Sequence, residues 1–282
     1  MDDGVDAPEV AFKMGSSATL SSMVAALLFD KKDTVGMIRF NKKNILIAVE
    51  KAKAIQGRAY LQPETLIDYE LASDSVELTV NLTVLYRCLT VFGDKSHFEF
   101  SYCGFGHPIV LVLEDQGIVT QCKINTLDEV LMANFGFRTY PVVNRVVMKS
   151  SFLRDALGEM DVPGSTSIDV TMSSSPTFIK FASHGTGAVC EMEFPDDPDI
   201  FSVLECKKSV TVRYNIQLIR LTMKALALAE QTHLRMNEQG MLLMQHSFRP
   251  DDTVNVKNWI DFILCPNVDD DDDDSVHRAA GI

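Results

Sequence analysis

Four short amphipathic stretches at nearly constant spacing constrain this chain more than any other feature. Helix-forming stripes begin near Ala18, Leu82, Ser151 and Ile216, which are 64, 69 and 65 residues apart. Leu20, Met23, Val24, Leu27 and Leu28 form the first stripe, behind Ser16 and Ser17 as N-cap residues. Leu82, Leu85, Leu89 and Phe92 form the second, with Gly93 as the residue that closes it. Phe152, Leu153, Leu157 and Met160 form the third, and the fourth runs from Ile216 to Lys224. Each stripe follows a strand-like run and precedes several more, joined by turn sequences such as Asn41-Lys42-Lys43-Asn44 and Glu114-Asp115-Gln116-Gly117. Consecutive hairpins make antiparallel sheets. The pattern is therefore four copies of one β-α-β-β-β unit, two per half: an α+β fold with the helices gathered on one face.

At 282 residues, the chain has length for two domains and 46% hydrophobic residues to fill their cores. The predicted division is 1–125 and 140–266, with a connector at 126–139 and an acidic, disordered tail at 267–282. The longest apolar run, Met23 to Phe29, is far too short for a membrane span, and the acidic start has no targeting signature, so no membrane partner is expected. The six cysteines make no Cys-x-x-Cys pair; buried, reduced thiols are expected, with no metal and no cofactor. Net charge is −13, of which six negative charges are Asp269 to Asp274. That balance argues against a uniformly cationic nucleic-acid binder but leaves room for one locally basic surface.

The detailed residues narrow the plan. Asn81-Leu82-Thr83-Val84-Leu85-Tyr86-Arg87-Cys88-Leu89, Pro108 to Glu114, Gly117 to Thr126, Lys224 to Leu228 and Gly240 to Leu243 together resemble the Rad one family of checkpoint clamp subunits. The resemblance spans nearly the whole chain up to Pro266, leaving out the acidic start and the Asp269 to Asp274 tail, with a divergent connector. It implies the sliding-clamp fold: two domains of paired units, antiparallel sheets outside and helices lining an inner face. It also implies a non-catalytic subunit of the heterotrimeric nine-one-one ring. Such a ring forms with Rad nine-like and Hus one-like partners and needs a clamp loader. It encircles double-stranded DNA without sequence preference, in the nucleus, in support of DNA repair and cell cycle checkpoint signalling.

A clamp of this kind needs cations on helix faces opposite the core stripes, where they meet phosphates. Thr83, Arg87 and Thr90 share such a face on the second helix; Arg154, with Lys149 just before, serves the third; Gln217, Arg220 and Lys224 serve the fourth. The first helix shows Ser21, Ser22 and Ala25 and no base, with Lys31 and Lys32 after it. Taken alone, these are also what ordinary solvated helix charges look like. Ring closure further requires exposed edge strands. The resemblance puts one at Gly117 to Asn125, with Ile118, Thr120, Cys122 and Ile124, and the other at Gly187 to Phe194, with Val189, Glu191 and Met192. Periodicity by itself equally allows both to be internal.

The competing function is a metal-dependent 3′–5′ DNA exonuclease, which needs several carboxylates around divalent metals. Asp68 and Glu70 on one strand face, or Glu191 and Glu193, would begin such a site, but neither pair has an evident third and fourth ligand. No phosphate loop, nucleophile elbow or His-Glu-x-x-His motif is present, so no catalytic residue is assigned.

Overall fold

A computed structural model of the chain describes residues 7–267, apart from Lys31, Asp94, Asp161 and 250–255. The acidic start, Lys31 and the Asp269 to Asp274 run lie outside the described residues.

The elements follow the repeat. The first unit is β1 (Val10–Met14), α1 (Ala18–Ala26), β2 (Val35–Asn41), β3 (Ile45–Lys51) and β4 (Ile55–Leu61), followed by β5 (Ile67–Leu71). The second is β6 (Ser75–Asn81), α2 (Leu82–Leu89), β7 (His97–Tyr102), β8 (Ile109–Asp115) and β9 (Ile118–Ile124). The third is β10 (Val142–Lys149), α3 (Ser150–Glu159), β11 (Ser167–Ser174), β12 (Thr177–Gly185) and β13 (Ala188–Pro195), followed by β14 (Phe201–Cys206). The fourth is β15 (Val210–Asn215), α4 (Ile216–Leu228), β16 (Gln231–Asn237), β17 (Leu242–Phe248) and β18 (Asn258–Leu264). Among the described residues no helix is long and apolar enough to cross a membrane.

Three antiparallel sheets result. One has the order β5-β1-β7-β8-β9, one β14-β10-β16-β17-β18-β4-β3-β2-β6, and one β13-β12-β11-β15. Each unit lends its first strand to the sheet of the neighbouring unit, so the repeats interlock. The nine-stranded sheet joins the halves where β18 pairs with β4, from Trp259 opposite Tyr60 to Leu264 opposite Ile55. The inner sides of the sheets and the apolar faces of the helices share one core, from Val10 and Phe12 through Leu82 and Leu85 to Ile260 and Phe262. The helices form a second layer in which α2 touches α1, α1 touches α4 and α4 touches α3.

Local chemistry explains the handovers from strand to helix. Asn81 and Asn215, in extended conformation, end β6 and β15 and cap α2 and α4: the Asn81 side chain accepts from the Thr83 and Val84 amides at 3.0 and 3.2 Å, the Asn215 side chain from Gln217 at 2.8 Å. At α1 the cap is divided: the Ser16 hydroxyl accepts from Ala18, while Ser17, at the N-cap position, makes no cap bond.

Several expectations need correction. α2 ends at Leu89, and Gly93 lies beyond it, in the left-handed region of the following turn rather than next to the helix end. α4 extends past Lys224 to Leu228. β5 is a strand that periodicity does not reveal. Its register on β1 shifts between Ala11 and Lys13, and Asp68 takes a left-handed φ of 53° at that bulge. The cysteines were expected to be buried, but none is fully so: all six are partly exposed.

Candidate nucleic-acid face and ring edges

The exposed side of the helix layer carries most of the predicted cations. Arg87 is exposed in the last turn of α2, where a cation also complements the helix dipole. Lys149 is exposed at the N-cap position of α3. Arg154 is exposed one turn on and bonds its own neighbour, Asp155, at 3.2 Å. An exposed pair of this kind contributes little to stability and leaves the arginine available. On α4, Lys224 is exposed and its Nζ lies 3.4 Å from the Ala25 carbonyl at the end of α1, while Arg220 is half-buried. Lys32 is exposed after α1. Asp155 and Glu159 are exposed on α3, so the face is only thinly basic.

Two residues assigned to that face belong to the core side. Thr83 is 7% exposed, and its hydroxyl accepts from the Thr34 amide at 3.1 Å. Ser21 is 3% exposed and donates to the Ala18 carbonyl. The helical phase at both places is set by how the helix leaves its strand, which spacing of apolar residues does not encode. The outward positions of α2 are instead Val84 and Arg87, with Val91 beyond the helix end.

Among the described residues, β9 and β13 each pair on one side only. β9 pairs with β8 through a two-residue turn in which Gln116 and Gly117 both have positive φ, 49° and 82°. Asp115 and Ile118 then form the bonded pair flanking the turn. Alternation turns the main-chain groups of Val119, Gln121 and Lys123 toward the open edge. Ile118 is 61% exposed, and Thr120 and Cys122 are partly buried. Ile124 is only 4% exposed, so its side chain serves the core. β13 pairs with β12 from Gly185 opposite Ala188 to Phe178 opposite Pro195. There Val189 is 61% exposed, Glu191 is exposed beside Lys180 at 3.4 Å, and Met192 is partly buried.

The connector lies across the junction of the halves. Leu127 donates to the Thr79 carbonyl at 2.8 Å, Ala133 to the Glu50 carboxylate at 2.6 Å, and the Asn237 side chain to the Phe137 carbonyl at 3.2 Å. Beneath it, Arg58, Tyr60, Phe137, Arg138, Leu243 and Asp261 line a cleft of about 350 Å³. Burial pushes the Asp261 carboxyl up to about 6 despite the neighbouring arginines. Nothing in the local sequence Trp-Ile-Asp-Phe-Ile marked Asp261 as unusual; only the alternation that turns it toward this cleft could have done so.

The carboxylate pairs do not assemble further. The bulge at Asp68 interrupts the alternation that would align it with Glu70, and both are exposed. Among the described residues no group of three or more His, Cys, Asp or Glu side chains is placed to hold a metal ion.

Comparison with known proteins completes the picture. Residues 12–248 match the family model described as Repair protein Rad1/Rec1/Rad17. The chain is 30% identical over 255 residues to the cell cycle checkpoint protein RAD1 of Mus musculus, covering 88% of this chain and 89% of that one. The corresponding protein of Homo sapiens is also 30% identical, with 88% of each chain covered. A DNA repair exonuclease, REC1 of Mycosarcoma maydis, is 26% identical over 180 residues, covering 53% of this chain and 39% of that one. Among solved structures, the Proliferating Cellular Nuclear Antigen of Entamoeba histolytica superposes with a TM-score of 0.75 at 13% identity, over 93% of this chain and all of that one.

Proposed function

From the premise that this chain belongs to the Rad1 family of repair and checkpoint proteins and has the sliding-clamp fold, we propose that it is one non-catalytic subunit of a heterotrimeric ring. The ring forms with Rad nine-like and Hus one-like partners, is placed by a clamp loader, and encircles double-stranded DNA in the nucleus. In this reading, 1–125 and 140–266 are the two clamp domains and 126–139 connects them.

The observation that carries the assembly is the count of strands. The nine-stranded sheet consists of five strands ending in β18 and four beginning at β4, joined edge to edge. In the repeat, β9 occupies the place of β18 and β13 the place of β4. Those two strands end a five-stranded and a four-stranded sheet, and among the described residues they remain unjoined. The chain thus carries one completed junction and the two complementary halves of another. Pairing β9 of one subunit with β13 of the next repeats the internal junction head to tail, and a contact of that type closes into a ring when the rotation permits. Such a ring puts Arg87, Lys149, Arg154, Arg220 and Lys224 around its hole. Mass photometry tests this: the chain alone should be mainly monomeric and should form a ring of stoichiometric composition only with two different partners. A stable homotrimer of this chain contradicts the heterotrimeric reading.

The exonuclease reading is favoured by one observation, the name of the Mycosarcoma maydis relative. A metal-dependent degradation assay separates the two. Activity abolished by Asp68→Ala with Glu70→Ala would establish the enzyme; the clamp reading expects no degradation.

A further inference from the structure

β6 is the outer strand at one end of the nine-stranded sheet, paired along its length with β2 only. The Leu82 amide donates to the Thr34 carbonyl at 2.8 Å. By alternation, Val80, Leu78 and Val76 turn their main-chain groups to β2, while Thr79, Glu77 and Ser75 turn theirs to the open edge. Thr79 is already used: its carbonyl accepts from Leu127, where the connector touches this edge as a single antiparallel bridge. The Ser75 carbonyl accepts from the Ser73 hydroxyl at 3.2 Å. Among the described residues the main-chain N–H and C=O of Glu77 have no partner.

That edge borders two clefts of about 350 and 330 Å³, and Glu77, Tyr102 and Phe105 line both. Phe105 is 97% exposed. It lies between Gly104 and Gly106, both with positive φ, in the turn from β7 to β8. Glu129 lines one cleft and Glu9 the other, and no lysine or arginine lines either.

The fourth unit shows the same place filled by its own chain. Counting from the starts of α2 and α4, Thr79 corresponds to Arg213 on β15, Leu78 to Val212 and Val80 to Tyr214. The Asn267 amide donates to the Arg213 carbonyl at 2.8 Å, as Leu127 does to Thr79. There the turn from β16 to β17 packs onto the edge strand. The Tyr214 hydroxyl donates to the Gly240 carbonyl at 2.6 Å, and a Cβ on Gly240 would lie 3.2 Å from Val212 and 3.9 Å from Pro266. In the second unit the turn carrying Phe105 leaves the two clefts instead.

We propose that the open edge of β6 receives an extended segment of a partner protein in which lysine or arginine side chains alternate with apolar ones. The segment adds as a strand. Its main chain bonds the N–H and C=O of Glu77, its cations meet Glu9, Glu77 and Glu129, and an apolar side chain covers Phe105. Main-chain pairing supplies affinity for any extended chain; the carboxylates select a basic one and repel an acidic one. The site is distinct from the edges β9 and β13 and does not depend on the ring.

The test uses the full chain at low salt with a fluorescein-labelled peptide of alternating lysine and valine; a peptide of alternating glutamate and valine is the control. Fluorescence anisotropy should show saturable binding of the lysine peptide at one site and none of the control. Hydrogen exchange at the Glu77 amide should slow when the lysine peptide is bound. Phe105→Ser changes an exposed side chain, so the melting temperature should hold while affinity falls by about tenfold or more. Glu77→Gln with Glu129→Gln should weaken binding and flatten its salt dependence. Absence of saturable binding overturns the proposal. So does binding that Phe105→Ser leaves unchanged or that does not slow exchange at Glu77, because the peptide is then attracted only to the negative charge of the chain as a whole. Equal binding of the glutamate peptide overturns it as well.

Discussion

His246 and Asp261 lie on adjacent strands of the nine-stranded sheet and pull the pH dependence of stability in opposite directions. His246 is fully buried; its Nδ1 lies 3.0 Å from the Thr232 hydroxyl, which lies 2.8 Å from that of Ser150, and among the described residues its Nε2 has no hydrogen-bond partner. Burial lowers its pKa to about 3. The unfolded chain therefore takes up a proton that the folded chain refuses. Stability on this account is full above about pH 6.5 and falls as pH drops toward 3, by about 2 kcal/mol at pH 5. For Asp261, raised to about 6, the folded chain holds a proton that the unfolded chain releases. Its penalty grows as pH rises above the unfolded carboxylate range and is complete above about pH 6, at roughly 3 kcal/mol. Urea unfolding at pH 5 and pH 7.5 separates the two. His246→Gln should flatten the loss on acidification. Asp261→Asn should stabilise the chain at both pH values, and more at pH 7.5 by about 1 kcal/mol. A larger gain for Asp261→Asn at pH 5 would contradict the assignment.

At the scale of elements, the two sides of β9 should respond differently to proline. Gln121 turns its amide to the open edge, whereas the amide of Thr120 faces β8. Gln121→Pro should leave the melting temperature of the isolated chain nearly unchanged and weaken association with the neighbouring subunit at least tenfold. Thr120→Pro should destabilise the chain itself, by about 3 kcal/mol. Equal melting temperatures with unchanged association would remove β9 from the interface. The seat of α2 is tested at Gly36, where an added Cβ would lie 2.9 Å from the Ala48 carbonyl oxygen and closer still to Leu82. Backbone cannot yield there, so Gly36→Ala should cost about 1–3 kcal/mol in thermal or urea unfolding.

These elements also mark how much of the molecule was legible in the sequence. The helix starts at Ala18, Leu82 and Ile216 coincide with the stripes because each helix buries one apolar face on a sheet. β5 was not legible: Ile67-Asp68-Tyr69-Glu70-Leu71 is mostly exposed, and its bulge breaks the period. Nor was the inward turn of Thr83, since one hydroxyl satisfying the Thr34 amide looks, in sequence, like any polar residue on a helix surface. The order of strands, which among the described residues leaves β9 and β13 unjoined, depends on contacts remote in sequence that no local pattern carries.

At the scale of the whole molecule, a net charge of −13 is combined with one helix layer that carries cations outward. On the proposed reading such a subunit should bind DNA weakly as a free chain, because long-range repulsion opposes a few scattered phosphate contacts. Closure of the ring holds the duplex against the helix layer and makes those contacts count together. The most direct test reverses Arg87, Arg154, Arg220 and Lys224 to Glu together and measures retention of the assembled ring on end-blocked DNA across salt concentrations. The account predicts normal folding and assembly, faster loss from DNA irrespective of sequence, and a log–log salt slope lower by about one unit for each phosphate contact removed. Normal assembly with an unchanged salt slope would contradict it, because these helices would then not face the DNA.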